Sequence, residues 1–219
     1  MLINNCLIIV IVMPSRKNYI INELKKKGIT NYLIQDAVNA KEKGENFLQN
    51  QLVAFCGKSF YVAYNGKICD KNIGALGCFL SHKLALQKAG HRDCVILEDD
   101  ISINFNVNTD ILIPEDTDIC YLGGWAKYDS KYFSPKIGIN KINSKEVKQY
   151  STYAYYVKSP KLILSLMKKY RPKSLDCFYI AFLQKKIYYN CYYYHPSLIS
   201  HSGIESIINP SSKFLQTCS

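Results

Sequence analysis

The chain carries three consecutive acidic residues, Glu98, Asp99 and Asp100, directly after the apolar run 94–97. Such a short apolar run is typical of a buried strand, so the acids should lie at its carboxyl end, where open α/β sheets bind ligands. Adjacent like charges repel by about 1 kcal/mol even in water, which favours a cation among them. Along an extended backbone Glu98 and Asp100 point the same way, which is the geometry of a DxD metal-binding motif. Oxygen ligands of this kind suit Mn²⁺ or Mg²⁺ held against a phosphate-bearing substrate. The structural alternative is that Asp99 or Asp100 caps the next turn.

The bulk composition narrows the class of protein. The 219 residues fit one domain over residues 1–219, and the 48% of hydrophobic residues excludes a disordered chain. Lys and Arg outnumber Asp and Glu by 28 to 17, which gives a net charge of +11. This charge favours an anionic partner, such as a nucleotide diphosphate, a nucleic acid or a membrane surface, and leaves peripheral membrane contact open.

The cysteines and the first apolar run bear on the compartment. The sequence has nine cysteines and no CxxC motif, and several of them lie inside apolar runs, so they are interpreted as reduced core residues. The apolar run 6–13 is too short to span a membrane and has no basic residue before it, which argues against a signal peptide. We therefore expect no transmembrane segment and a cytoplasmic location.

Local patterns predict alternating strands and helices. Gly28 follows the first predicted helix at the position where a C-terminal glycine is favoured. The region 41–72 has no dominant hydrophobic period and is predicted to be irregular. The pattern as a whole predicts an α/β fold with a largely parallel sheet. The predicted strands are 6–13, 32–35, 94–97, 118–122, 153–157 and 187–194, and the predicted helices are 16–27, 74–89, 160–170 and 177–183.

Two motifs carry a resemblance to a known family. These are Gly-Cys-Phe-Leu-Ser-His at residues 77–82 and Leu-Glu-Asp-Asp at residues 97–100, in this order and at short separation. Together with weaker segments, they make residues 6–206 resemble glycosyltransferase family 25, which contains lipooligosaccharide and collagen galactosyltransferases. The resemblance implies a GT-A fold with a mostly parallel central sheet flanked by helices, a UDP-sugar donor and a divalent metal. It also implies inverting transfer to a hydroxyl on a glycan or a hydroxylated peptide.

Further site residues follow from matching positions to the family. Ser81 and His82 stand where the family has its Ser-His pair, beside the donor; alternatively, they pack and hydrogen-bond under the sheet. Asp176 matches an aspartate that follows a proline and is the candidate general base, although it could equally be the N-cap of a helix.

The remaining candidates lie at strand ends and in a late loop. Glu98 and Asp99 are assigned to the donor site, and contacts to uridine are expected from three further residues: Met13, Pro14 and Asp36. His201 is the candidate third metal ligand beside Glu98 and Asp100, because GT-A enzymes draw such a ligand from a late loop. A surface histidine without a ligand role is the alternative.

The predicted function is therefore a metal-dependent, inverting transferase that moves galactose or glucose from a UDP-sugar, with no nucleic-acid partner. Two alternatives stay open at this point. The positive charge and basic, tyrosine-rich stretches such as 185–189 are compatible with a nucleic-acid-binding protein, although alternating tyrosines also suit a half-buried strand. The second alternative is a glycosyltransferase-like pseudoenzyme, which binds its ligand but does not transfer a sugar.

Overall fold

The structure is a computed structural model that describes residues 6–58, 70–106, 109–128, 134–143, 145–169, 174–186 and 188–203. The strands are β1 (Leu7–Val12), β2 (Tyr32–Asp36), β3 (Cys94–Leu97), β4 (Ile101–Ile103), β5 (Ile119–Tyr121), β6 (Trp125–Tyr128), β7 (Gly138–Lys141), β8 (Val147–Tyr150), β9 (Ala154–Val157), β10 (Cys191–His195) and β11 (Ile199–His201). The helices are α1 (Lys17–Lys26), α2 (Ala40–Lys43), α3 (Glu45–Cys56), α4 (Asp70–Ala89), α5 (Pro160–Lys169) and α6 (Leu175–Tyr179). A 3₁₀ turn (Pro14–Arg16) precedes α1, and a π-helical turn (Ile180–Gln184) follows α6.

A seven-stranded sheet with the order β2-β1-β3-β9-β5-β10-β7 forms the centre of the fold. β1 is parallel to β2 and β3, and β10 is parallel to β5. β9 is antiparallel to both of its neighbours, and β7 is antiparallel to β10. Five strands therefore share one direction, with β7 and β9 against them. The predicted α/β class, a mostly parallel sheet flanked by helices and compatible with a GT-A-like fold, is confirmed.

This topology brings five carboxyl strand ends to one edge of the sheet. The residues that follow β1, β3 and β5 there are Met13, Glu98 and Leu122. β4 and β6 follow the ends of β3 and β5 there, and they pair with β11 and β8 in two small antiparallel sheets. Polar residues from distant parts of the sequence consequently meet at this edge.

Helix α4 packs on one face of the sheet and carries the Gly77–His82 motif. It is buried on nearly all sides, because it also contacts α2, α3 and α5. Gly77 permits this close approach: a Cβ atom there would lie 2.7 Å from the Val38 carbonyl oxygen and 2.9 Å from the Ala40 Cβ. The loop after β2 can thus lie directly on the helix.

The sheet separates two hydrophobic clusters. Alternate residues of β1 point to opposite faces, so Ile9 and Ile11 belong to the cluster under α4, whereas Val10 and Val12 belong to the cluster with α1. Burial on both faces explains the continuous apolar runs of β1 and β3.

The region predicted to be irregular is helical over much of its length. α2 and α3 occupy residues 40–43 and 45–56, so that prediction was wrong there; residues 59–69 lie outside the described residues. Gly44, with φ of +74°, separates the two helices and interrupts any common period. Leu48 and Leu52, one turn apart in α3, bury completely and anchor it.

Other predicted boundaries shifted by a few residues. The predicted helix 177–183 begins two residues earlier, as α6, and continues as the π-helical turn, whereas the last strand begins only at Cys191. Seven cysteines within the described chain take part in no disulfide, and Cys6, Cys94 and Cys120 are buried, as predicted for reduced core residues. Among the helices that the structure describes, none combines the length and the apolar character needed to cross a membrane. One domain over residues 1–219 stays a prediction.

Candidate functional site

An open cleft lies at the carboxyl edge of the sheet. Its space, including solvent at the mouth, is about 740 Å³. Its walls come from the end of β1, the loop after β2, α4 and the residues after β3. The polar side chains and backbone segments that line it include Met13, Arg16, Val38, Asn39, Lys41, Cys78, Ser81, His82, Glu98, Asp99 and Asp100.

Arg16 bridges the two aspartates of the acidic triplet. Its Nη1 atom lies 3.1 Å from Asp99 Oδ1 and 3.1 Å from Asp100 Oδ2, and all three side chains are nearly buried. The Met13 backbone N–H donates a further hydrogen bond to Asp99. Burial raises the pKa of Asp99, and the bonds from Met13 and Arg16 partly offset this rise. The turn after β1 is thereby fastened to the end of β3.

Asp100 forms a second ion pair with His201. His201 Nε2 lies 3.4 Å from Asp100 Oδ2, because the pairing of β11 with β4 places His201 opposite Ile101. Burial favours the neutral form of Asp100, but His201 and Arg16 outweigh it and hold the pKa of this carboxyl below its usual range. The hydrogen bond to Asp100 raises the pKa of His201, although burial opposes the rise. The other oxygen of Asp100, Oδ1, is buried and has no hydrogen-bond partner among the described residues.

Glu98 begins a buried hydrogen-bond chain. Its Oε1 atom lies 3.1 Å from His82 Nε2, and His82 Nδ1 lies 2.8 Å from the Tyr155 hydroxyl. The Tyr179 hydroxyl donates to the Tyr155 hydroxyl at 3.0 Å. His82 is 1% exposed, whereas the Glu98 side chain is 24% exposed. The chain thus runs from the core to one carboxylate at the cleft.

Ser81 holds the loop after β2. Its hydroxyl donates to the Gly77 carbonyl at 2.7 Å and accepts the Val38 N–H at 2.8 Å. The sequence left open whether Ser81 and His82 serve the donor or the packing. Both make buried hydrogen bonds, as the structural alternative describes, and both also line the cleft, so their role beside the donor stays a prediction.

The other predicted site residues occupy different positions. Asp176 lies in the first turn of α6, half-buried, and its Oδ1 accepts the N–H of the next residue, Cys177, at 2.7 Å. Burial raises the pKa of Cys78, and the charges of Glu98, Asp176 and Asp100 add to this rise. The structure does not bring Pro14 or Asp36 into the cleft wall: both are exposed, and their neighbours line it instead.

The metal-ligating groups are arranged differently from the predicted set. Asp100 and His201 are adjacent, but Glu98 is turned to His82. Within the described part of the chain, three such side chains have ligand atoms within 4.8 Å of one another: Cys78, His82 and Glu98. Glu98 belongs to this group, whereas the predicted set of Glu98, Asp100 and His201 does not meet the same distance within the described residues.

Sequence reasoning missed several residues of this site. Arg16 was absent from the predicted set, although a basic residue one turn after a strand end was a usable signal. Tyr155 and Tyr179 gave no local signal, because only the tertiary fold brings Tyr155 to His82 and Tyr179 to Tyr155.

A mostly parallel sheet with an acidic cluster at its carboxyl edge, beside an open cleft, is compatible with a glycosyltransferase of the GT-A type. The family model described as glycosyltransferase family 25 (LPS biosynthesis protein) matches residues 4–175, and the chain belongs to that family. The resemblance found in the sequence is confirmed. The matched range contains both motifs and ends one residue before Asp176. No curated protein matches the chain significantly.

Proposed function

We propose that this glycosyltransferase moves a hexose, galactose or glucose, from a UDP-sugar to a hydroxyl on a glycan or a hydroxylated peptide. Transfer would be metal-dependent and would invert the configuration at the anomeric carbon of the sugar. The observation that carries the proposal is the acidic cluster Glu98–Asp100 in the wall of an open cleft, in a chain of glycosyltransferase family 25.

The cleft suits a nucleotide diphosphate in shape and charge. Arg16 and Lys41 contribute cationic groups to its wall, and the net charge of the chain is +11. The diphosphate would lie near these two groups, since a buried guanidinium is a strong partner for phosphate. Met13 and the loop after β2 would contact the uridine, with Pro14 and Asp36 next to them in sequence.

The side chains present also fit a divalent cation. The buried Asp100 Oδ1 lacks a hydrogen-bond partner among the described residues, which is an unfavourable state for a carboxylate oxygen unless a cation satisfies it. Glu98, Asp100 and His201 would hold Mn²⁺ or Mg²⁺, and the imidazole favours Mn²⁺. The bound ion would neutralise negative charge on the departing diphosphate.

The residues of the chain would supply positioning and proton transfer. Inversion by a single displacement needs a base at the acceptor hydroxyl and no covalent nucleophile. Asp176, half-buried in the first turn of α6, would accept that proton. His82 would fix the orientation of Glu98, because both nitrogens of its ring have partners.

Calorimetry of UDP binding with and without Mn²⁺ tests the donor site. Asp100→Asn should weaken Mn²⁺-dependent binding by at least about tenfold, equal to about 1.4 kcal/mol, and Glu98→Gln should weaken it less. Asp110→Asn, at an exposed acid, is the control and should bind like the wild type. Unchanged UDP affinity in both site variants would show that Asp100 and Glu98 do not bind the metal. A screen of UDP-sugars for metal-dependent hydrolysis identifies the donor.

A further inference from the structure

We propose that Trp125 and Tyr150 form a stacking surface for a pyranose ring of the acceptor, so that the acceptor contains a glycan. This inference rests on the proposed function and concerns the side of the site away from the donor cleft. Trp125 is the only tryptophan in the sequence and is 47% exposed. Its ring lies on that of Tyr150 with 4.3 Å between centroids and 9° between planes.

The strand pairing holds this ring pair in place. Trp125 in β6 and Tyr150 in β8 are direct cross-strand partners in the small two-stranded sheet. Cross-strand aromatic pairs stabilise a sheet, but burial alone does not account for a large aromatic residue that is about half exposed. An aromatic surface that is ordered before binding loses little conformational entropy when a ligand covers it.

The backbone of the turn before Trp125 is fixed by close packing at two glycines. A Cβ atom on Gly123 would lie 2.3 Å from the Tyr153 ring, and one on Gly124 would lie 2.4 Å from the Tyr150 carbonyl oxygen. The Gly124 N–H also donates to the Tyr153 hydroxyl at 2.6 Å. Both glycines are therefore required for the backbone path that delivers Trp125 to Tyr150.

A continuous set of contacts links this surface to the acidic cluster. The Tyr153 and His201 rings meet edge to face with centroids 6.3 Å apart, and His201 pairs with Asp100. Burial raises the pKa of Tyr153 to about 12, and the charges of Asp100 and Glu98 add to the rise. Gly124, the residue before Trp125, is thus linked through Tyr153 and His201 to Asp100.

The position of Trp125 in the sheet indicates that the ligand of this surface is the acceptor. The donor cleft is lined from the ends of β1 and β3 and the loop after β2, at one end of the sheet order. Trp125 follows β5, two strands beyond β3 and on the other side of the acidic cluster. A molecule that contacts this surface and presents a hydroxyl to the cluster would approach from the side opposite the donor.

A sugar ring matches the chemistry of such a surface. One face of a pyranose exposes mainly C–H groups, which can cover an aromatic ring, while its hydroxyl groups at the rim stay in water. A tryptophan of this kind commonly supplies a large part of the affinity of a binding surface. We therefore expect Trp125 to govern acceptor affinity without affecting donor affinity.

The single tryptophan makes direct detection possible. The wild-type protein, with UDP and Mn²⁺ present, is titrated separately with methyl β-galactoside, methyl β-glucoside and lactose. We expect at least one of these sugars to change the tryptophan fluorescence and to saturate. Glycerol at the same concentrations should not change it. A response to a hydroxylysine peptide but to none of the sugars would overturn the proposal, as would no response to any of them.

Variants then locate the binding. With the responding sugar, saturation-transfer NMR should show at least tenfold weaker binding to Trp125→Ala and binding within threefold of wild type to Trp125→Phe. Tyr188→Ala is the control, because Tyr188 is 66% exposed and lies before β10, at the opposite edge of the sheet. Wild-type sugar binding by Trp125→Ala would overturn the proposal. UDP affinity, measured in parallel, separates this result from a failure of the donor site.

Discussion

The carboxylate of Glu98 lies 3.1 Å from Nε2 of His82, so the acid that faces the cleft is held by a ring that is itself almost fully buried. The ring cannot turn away, because its other nitrogen meets the hydroxyl of Tyr155 at 2.8 Å and the two rings stack with 5.6 Å between centroids. The buried pair of His82 and Tyr155 therefore acts on the cleft through the Glu98 carboxylate.

Tyr155→Phe tests this hydrogen-bond chain. Loss of the hydroxyl leaves the buried His82 Nδ1 and the Tyr179 hydroxyl without this partner, and an unsatisfied buried polar group costs about 1–3 kcal/mol. We expect a loss of that size in the free energy of unfolding, from urea titrations, together with weaker Mn²⁺-dependent UDP binding. Tyr179→Phe is the matched control, since it leaves the contact between Tyr155 and His82 intact. Tyr179→Phe should lower the free energy of unfolding by about 1 kcal/mol and leave UDP affinity unchanged. Equal effects of the two variants on UDP binding would contradict this role of Tyr155.

The sequence predicted the part of this site that depends on local pattern. The apolar run 94–97 was enough to place the acids at a strand end, and the order of the two motifs indicated the family. The contact of Tyr155 with His82 could not be predicted, because β9 lies between β3 and β5 only through non-local pairing. The bridge from Arg16 likewise depends on the parallel register of β1 and β3, which local periodicity does not encode.

Ser81→Ala should loosen the loop that lines the donor cleft. The Val38 N–H would lose its acceptor, and the loop would separate from α4 rather than keep an unsatisfied donor. We expect UDP affinity to fall by about tenfold, or 1.4 kcal/mol, in calorimetric titrations. Ser102→Ala removes a hydroxyl with only a 3.5 Å contact to Glu23 and serves as the control. Gly77→Ala should resemble Ser81→Ala, because its methyl group would meet the Val38 carbonyl oxygen. Wild-type UDP affinity in both site variants would show that this loop does not support the donor.

The ion pair between Asp100 and His201 should make the stability of the metal-free protein depend on pH. The raised pKa of His201 means that the pair stabilises the fold fully below the unfolded value of about 6.5, and that this contribution is lost as pH rises through the folded value. The lowered pKa of Asp100 gives a contribution that is present above its unfolded value of about 3.9 and is lost as pH falls through the folded value.

His201→Gln should consequently destabilise the protein by about 0.5–1 kcal/mol at pH 5.5 and by much less at pH 9. Urea unfolding in EDTA at the two pH values measures the difference. His91→Gln, at an exposed histidine, is the control and should show no such dependence. The same loss at both pH values would mean that the charge of His201 does not contribute.

Asp176→Asn tests the proposed general base. The substitution keeps a side-chain oxygen for the Cys177 N–H and removes the basicity, so the first turn of α6 should survive. Loss of a general base lowers turnover by about 10²–10⁴-fold, whereas the loss of a negative charge near a helix N-terminus costs only about 0.3–1 kcal/mol of stability. We expect kcat to fall by the former amount, with UDP affinity within about twofold of wild type. Asp116→Asn is the matched control, because this carboxylate, bonded to the Tyr192 hydroxyl, precedes β5 at the opposite edge of the sheet. Normal turnover in Asp176→Asn would assign Asp176 to the helix cap instead. A parallel loss of UDP binding would assign it to the donor site.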